Sequence, residues 1–259
     1  MTGSGTERRA LGVIPARYAS TRFPGKAIAP IDGKPMVQRV IESARQARLL
    51  DQIVVATDHP YIQAAAQACD CPVVMPEGNF NSGTDRIAAG IRDYSHEIVV
   101  NIQGDLPYLP AEMIDAIVEP LLANPTIPCA TLARQVTESA ELTDRTLARV
   151  IMDQNQNALY FSRATIPFAK AGDDEMHWLE RGAYYRHIGL YGFQREFLQT
   201  VVSLPQSPLE NIEGLEQLRI LEHGYQMRVV LTKLDVYPVD RPEDVAIVER
   251  RQRQAAGQS

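Results

Sequence analysis

The stretch Leu11-Gly-Val-Ile-Pro-Ala-Arg-Tyr-Ala-Ser-Thr-Arg-Phe-Pro-Gly-Lys-Ala-Ile-Ala-Pro-Ile-Asp-Gly-Lys34 decides how this chain is read. An apolar run, Leu11 to Ile14, breaks at Pro15 into a long loop that carries Arg17, Arg22, Lys26 and Lys34. A helical pattern begins at Met36. Four cations gathered in one loop, in a chain of formal net charge −6, suit a polyphosphate, because guanidinium and ammonium groups neutralise it at close range. Apolar residues and prolines threaded between the cations predict an ordered loop rather than a linker. The stretch reads as a nucleoside triphosphate site at the end of a first strand, with a solvated basic loop as the alternative.

Neither familiar phosphate motif is present. Gly-x-Gly-x-x-Gly is absent after the strand, which removes support for a dinucleotide fingerprint. Gly25-Lys26 is followed by Ala27, and no glycine stands five residues before Gly25, so the Walker spacing fails as well.

Working outward, 259 residues with 45% hydrophobic and 22% charged content describe a globular chain with ample core. The acidic balance speaks against nucleic acid or an anionic membrane as the main partner. Cys69, Cys71 and Cys129 form no disulfide framework, and Cys69-Asp70-Cys71 is too tight for a zinc pair. Met1 to Arg9 lacks an apolar signal region, and no run reaches the length of a membrane span. The expectation is a cytoplasmic protein with reduced thiols.

Apolar runs at 11–14, 53–56, 73–75 and 98–102 do not alternate and read as strands buried on both faces. Amphipathic segments at 36–47, 61–68 and 84–91 read as helices, the last opened by Ser82 with Asp85 at its positive end. Alternation of this kind predicts a parallel sheet with helices on both sides and a ligand beyond the carboxyl ends of the strands. Polar residues fall there: the basic loop after the first strand, Thr57-Asp58-His59 after the second, and Asn101-Ile102-Gln103-Gly104-Asp105 after the fourth run. The second half reads as strands at 128–132, 148–152, 158–161, 188–193 and 226–231, an exposed charged loop at 169–181, helices at 195–204, 212–223 and 242–252, and a frayed tail from Gln252.

Asp105, between an apolar strand and Leu106-Pro107, reads as a ligand for a magnesium ion that bridges phosphate oxygens, or as a cap for a helix starting near Ala111. Asp240, after Val236-Tyr237-Pro238-Val239, reads as the second carboxylate or as the N-cap of the last helix. Over 212–223, helical spacing puts Glu213, Glu216, Gln217 and Ile220 on one face, to be taken as a site or as a solvated surface. His187 reads as a ligand-facing or a structural histidine.

Pro15-Ala16-Arg17, Ser20-Thr21-Arg22-Phe23-Pro24-Gly25-Lys26, Gly33-Lys34-Pro35-Met36, Ala56-Thr57-Asp58, Ser82-Gly83-Thr84-Asp85-Arg86 and Gln103-Gly104-Asp105-x-Pro107 together resemble the sugar-acid cytidylyltransferases. Ala158 to Pro167, Arg186-His187-Ile188-Gly189-Leu190-Tyr191-Gly192, Ser207-Pro208-Leu209-Glu210 and Leu215-Glu216-Gln217-Leu218-Arg219 resemble the branch that acts on 3-deoxy-manno-octulosonate (KDO). The resemblance runs in order from Leu11 to Glu249. It implies an α/β, nucleotidyltransferase-type (Rossmann-like), mostly parallel sheet with helices on both faces and a smaller β-rich segment for dimerisation and sugar binding. One domain, 1–259, would comprise a CTP-binding half, 10–125, and a sugar-binding and dimerisation half, 126–250, with flexible termini at 1–9 and 252–259.

The implied reaction is CTP plus KDO giving CMP-KDO and pyrophosphate, with Mg²⁺, in a homodimer that supplies lipopolysaccharide synthesis. By resemblance, Arg17, Arg22 and Lys26 hold the triphosphate, while Ala16, Ser82, Gly83, Arg86 and Gln103 complete the CTP site. Gln103, Arg163, His187, Tyr191, Glu216 and Gln217 surround the sugar acid. Asp105 and Asp240 bind the metal and, with Arg17 and Lys26, form the catalytic set.

The chain departs from the family pattern at Leu106, where most members carry glutamate, at Arg241, where they carry threonine, and around Leu147-Ala148-Arg149-Val150. Arg241 is expected to pair with Asp240 or to meet pyrophosphate. Two alternatives accompany this reading: a cytidylyltransferase for 8-amino-KDO or another acidic sugar, and a nucleotide-binding protein without catalysis.

Overall fold

The apolar runs pair side by side, and the amphipathic segments between them cross over as helices. The computed structural model describes residues 10–80, 82–170 and 175–257. In chain order it contains β1 (Ala10–Ala16), β2 (Pro30–Ile31), β3 (Lys34–Pro35), α1 (Met36–Ala44), β4 (Leu50–Thr57), α2 (Pro60–Gln67), β5 (Val73–Val74), α3 (Gly83–Gly90), β6 (Ile98–Asn101) and α4 (Ala111–Ala123). There follow β7 (Cys129–Gln135), α5 (Ser139–Thr143), β8 (Arg149–Met152), β9 (Ala158–Ser162), β10 (Tyr185–Gln194), α6 (Arg195–Ser203), α7 (Pro208–Glu213), α8 (Leu218–Glu222), β11 (Arg228–Thr232) and α9 (Asp244–Ala256).

The main sheet has the order β11-β7-β10-β6-β1-β4-β5. β1 runs parallel to β4 and β6, β4 to β5, and β11 to β7. β10 is antiparallel to both of its neighbours, β6 and β7, and β8 and β9 extend from its far end. The result is the mostly parallel α/β sheet expected. Strand alternation explains why the runs are apolar throughout. Ala10 and Ile14 face the layer of α1, α2 and α4, whereas Leu11 and Val13 face that of α3, α6 and α8.

Several expectations need correction. β1 does not break at Pro15 but continues to Ala16. Its ladder to β6 ends at Val13, so the last residues pair with β4 alone, a half-paired position where proline is tolerated. The helix expected over 212–223 is two. α7 ends at Gly214, whose φ of 64° is left-handed, and α8 starts only at Leu218. Glu216 and Gln217 therefore sit in a turn and share no helical face with Glu213. The segment 169–181 is not simply an exposed loop. Residues 175–180 form a short 3₁₀ helix, and Trp178 is buried with Val136, Leu142 and Tyr184; Gly172, Asp173 and Asp174 lie outside the described residues.

The expected frayed tail is also shorter than read, because α9 runs to Ala256 and Arg253 pairs with Asp32 at 3.1 Å. Residues 1–9 and 258–259 lie outside the described residues. The three cysteines are free thiols. Among the described residues no helix is long and apolar enough to cross a membrane.

Candidate active site

At the carboxyl ends of β1 and β6 the chain builds a cation-lined cavity of about 290 Å³. The loop after β1 returns through a 3₁₀ turn at Lys26–Ile28. There the Lys26 ammonium donates to Asp105 Oδ2 at 2.9 Å and to Asp240 Oδ1 at 3.4 Å. Arg22 Nη2 donates to the same Asp240 oxygen at 3.1 Å. Two cations thus face two carboxylates.

Each carboxylate is held from behind. The Asp105 carbonyl accepts from Val239 N at 2.9 Å, which draws the distant segment 236–240 alongside. Val239 is buried with Ile31, Met36 and Val248, a small core that pins α9 to the hairpin of β2 and β3. Asp240 is not the cap of α9. Its own N–H and that of Arg241 both donate to Asp244 Oδ2 at 2.8 Å, leaving the Asp240 carboxylate for the cavity. Asp105 is no helix cap either, since Pro110 occupies that position before α4.

The opposite wall is the start of α3. Ser82 accepts from Asp85 N at 3.1 Å and Asp85 Oδ2 accepts from Ser82 N at 3.1 Å, a reciprocal capping box. Arg86, buried one turn on, donates to Asp58 Oδ2 at 2.9 Å and lies over the Phe80 ring at 5.1 Å. Its other terminal nitrogen, Nη1, is buried with no hydrogen-bond partner among the described residues. Ala16, Arg17, Arg22, Lys26, Ser82, Gly83, Arg86, Gln103, Asp105 and Asp240 all line this cavity. Lys34 does not. It stands on β3 and pairs with Glu42, because the hairpin turns it away from the other three cations. Arg241 does not reach Asp240 and instead lies 3.8 Å from Glu243.

A second cavity, of about 380 Å³, adjoins the first and shares Gln103 and Asp105 with it. Arg163, His187, Tyr191, Glu216 and Gln217 line it, together with Leu106. Tyr191 donates to Gln217 Oε1 at 3.2 Å, and Gln217 Nε2 lies 3.4 Å from His187 Nδ1. Burial pushes the Glu216 carboxyl above the usual carboxylate range, and hydrogen bonds from Thr84 and Ser82 oppose the shift in part. Those two hydroxyls belong to the start of α3, so Glu216 joins the wall of one cavity to the wall of the other.

Arg163 is less free than its sequence position suggests. Nε donates to the Glu213 carbonyl at 3.1 Å, and Nη1 to those of Thr146 and Arg145 at 2.9 and 3.5 Å. Its Nη2 edge makes no backbone hydrogen bond among the described residues. Sequence reasoning gave no role to two arginines here, Arg186 in the cavity wall and Arg149 outside it. Arg186 is held by Glu141 at 3.2 Å and Asp235 at 2.7 Å. Arg149, which is fully buried, ties the carbonyls of Leu147 and Arg163 at 2.8 and 2.9 Å. It also missed Tyr18, stacked on His59 at 3.9 Å, and Asp58 as the partner of Arg86. The placement of Asp58 at a strand end was the available signal.

Burial pushes His187 down to about 3 from an ordinary 6.5, so the ring is neutral throughout the useful pH range. Between those limits the unfolded chain binds a proton that the native chain does not. Stability therefore falls as pH drops from 6.5 toward 3, with a contribution of up to about 1.4 kcal/mol per pH unit. Urea unfolding of wild type and His187→Gln between pH 7 and 5 checks this, and the slope attributable to the histidine should vanish in the variant.

The donors at the meeting point of the two cavities suit a divalent cation. Two hard carboxylates lie within 3.4 Å of one ammonium nitrogen, and a cation that keeps water and takes phosphate oxygens needs only one or two protein carboxylates. No cluster of three or more His, Cys, Asp or Glu side chains exists among the described residues to compete.

Comparison with known proteins agrees with this geometry. A family profile described as cytidylyltransferase matches residues 11–231. A 3-deoxy-manno-octulosonate cytidylyltransferase of Chloroherpeton thalassium is 40% identical over 243 residues, covering 93% of this chain and 96% of the relative. An 8-amino-3,8-dideoxy-manno-octulosonate cytidylyltransferase of Shewanella loihica is 44% identical over 243 residues, covering 92% and 96%. A solved structure of CMP:2-keto-3-deoxy-manno-octonic acid synthetase complexed with CTP superposes with a TM-score of 0.88 at 34% identity, covering 95% of this chain and 99% of that one. Profile, relatives and fold agree over nearly the whole length, and the chain belongs to the cytidylyltransferase family.

Proposed function

We propose that the chain transfers the cytidylyl group of CTP to 3-deoxy-manno-octulosonate, giving CMP-KDO and pyrophosphate for lipopolysaccharide synthesis. The observation that carries this reading is the junction at Gln103 and Asp105, where a cation-lined cavity opens into one lined by hydroxyl-binding groups. Residues 10–125 supply most of the CTP half, and residues 126–250 supply most of the sugar-binding and dimerisation half.

Arg17, Arg22 and Lys26 neutralise the triphosphate. Ala16, Ser82, Gly83 and Arg86 receive the nucleoside, with the unpartnered Arg86 Nη1 as a donor to an acceptor atom of the base. Gln103 stands where both substrates meet. Tyr191, Glu216 and Gln217 offer donors and acceptors to the sugar hydroxyls, His187 borders the sugar with both ring nitrogens engaged by Thr131 and Gln217, and the Nη2 edge of Arg163 faces the sugar carboxylate.

The anomeric hydroxyl oxygen of the sugar bonds to the α-phosphorus as the bond to the bridging oxygen breaks. Pyrophosphate leaves with that electron pair, and the hydroxyl proton passes to water. The chain's own residues position the two reactants in line and spread the developing charge over Lys26 and the arginines. Asp105 and Asp240 would hold Mg²⁺, which when bound supplies Lewis-acid neutralisation and lowers the hydroxyl pKa. The family resemblance supports a homodimer.

The test is pyrophosphate release with CTP and Mg²⁺ and either KDO or its 8-amino analogue, with UTP and ATP as controls and sedimentation for the dimer. Turnover confined to CTP and KDO, and abolished by chelation, is expected. Turnover with the amino sugar alone overturns the choice of substrate, and CTP binding without pyrophosphate release overturns the catalytic reading.

A further inference from the structure

Beneath the second cavity lies a hydrogen-bond chain whose direction can be worked out atom by atom. Thr131, on β7 between β11 and β10, has no solvent exposure. Its Oγ1 lies 2.9 Å from the Leu190 carbonyl, 3.3 Å from that of Ile188 and 2.8 Å from His187 Nε2. Both carbonyls reach one hydroxyl because β10 is bulged against β7, the register shifting between Ile188 and Tyr191.

A carbonyl only accepts, so the single Thr131 proton goes to the backbone and its oxygen is left to accept from the histidine. The proton of the neutral ring therefore resides on Nε2, and Nδ1 is an acceptor. The group facing Nδ1 at 3.4 Å must then be a donor, which is Gln217 Nε2. That fixes the amide the other way round for its second neighbour, and Gln217 Oε1 accepts from the Tyr191 hydroxyl at 3.2 Å.

We propose that Thr131 is a positioning residue that sets the Nε2–H tautomer of His187 and, through it, the amide orientation of Gln217. The second cavity then presents a fixed polarity to a ligand: one remaining N–H of Gln217 as donor and the lone pairs of Tyr191 as acceptors. This rests on the proposed function in taking that ligand to be the polyhydroxylated sugar acid. A site that reads hydroxyls needs such fixed polarity, because a flipped amide turns a hydrogen bond into a clash of like partners.

Thr131→Val keeps the shape and removes the acceptor, whereas Thr131→Ser keeps it. The first readout is the ¹⁵N spectrum of the histidine rings in the ligand-free protein, with His187 assigned by its loss in His187→Gln. Wild type and Thr131→Ser are expected in the Nε2–H form and Thr131→Val shifted toward Nδ1–H. In turnover, Thr131→Val is expected to raise the KM for the sugar about tenfold, with kcat and the KM for CTP within twofold of wild type and Thr131→Ser restoring the sugar KM.

An Nδ1–H ring in wild type overturns the proposal, and so do an unshifted tautomer in Thr131→Val or equal losses in both variants. Should Thr131→Val fail to fold, the wild-type and Thr131→Ser spectra still decide. Should wild type turn over no sugar acid, the functional reading fails while the tautomer measurement stands.

Discussion

Asp105→Asn is expected to lower kcat by on the order of 10²–10³-fold while leaving the fold intact. The substitution preserves the shape of the side chain and removes one negative charge. In the free protein that charge is matched: Lys26 and Arg22 face Asp105 and Asp240 at 2.9 to 3.4 Å. Losing one carboxylate from a partly exposed group of four changes stability by about 1 kcal/mol or less, because solvent screens the remaining imbalance. The effect on substrates splits. Without a divalent ion, a triphosphate should bind Asp105→Asn as tightly as wild type or more so, since an anion has left a cationic cavity. With the ion, turnover should collapse because one of the two carboxylates proposed to hold it is gone. CTP titration calorimetry under chelation, set against kcat at saturating metal, reads the two halves separately. A variant that keeps kcat within tenfold would make the Asp105–Lys26 pair a structural contact and remove Asp105 from the reaction.

The parts of this architecture legible in the sequence share one physical cause. Runs such as Leu11–Ile14 and Ile98–Val100 are apolar at every position because both faces of the sheet are covered, and the polar residues at their carboxyl ends have nowhere to go but the ligand edge. Ser82 and Asp85 were legible because a capping box is local. What was not legible depends on a break or a return that periodicity does not register. Ile212, Leu215, Leu218 and Leu221 keep helical spacing across Gly214, yet Ile212 is 79% exposed while Leu215 and Leu218 are buried. The pattern continued through a turn, and the glycine was the only sign. Lys34 groups with the loop cations in sequence because a hairpin of two-residue strands is too short to show in the pattern. The antiparallel insertion of β10, and with it the bulge that brings His187 over Thr131, comes from pairing between segments 56 residues apart; nothing local encodes it.

Gly104→Ala is expected to be nearly as damaging as the loss of Asp105, although it adds one methyl group and removes no functional atom. A Cβ at position 104 would lie 2.7 Å from the Pro15 carbonyl oxygen, well inside contact distance and against backbone rather than a side chain that could rotate away. Pro15 cannot give, because it is paired with Ala56 within the parallel ladder of β1 and β4. The turn 103–105 must therefore move, and it carries Gln103 and Asp105, the two residues common to both cavities. The shift also pulls on the bond from Val239 N to the Asp105 carbonyl, 2.9 Å, which keeps Asp240 beside Asp105. Overpacking of this kind costs about 1–3 kcal/mol of stability, and displacing a reactive constellation by about 1 Å costs on the order of 10²-fold in rate. Thermal unfolding and kcat/KM for Gly104→Ala should both fall. Gly182→Ala, whose new Cβ would meet nothing within 4 Å, should leave both unchanged. Turnover in Gly104→Ala equal to wild type, with the expected loss of stability, would mean that the carboxylate need not be held to a fraction of an ångström. Charge neutralisation by a mobile Asp105 would then suffice, and the close approach of Gly104 to β1 would serve the fold alone.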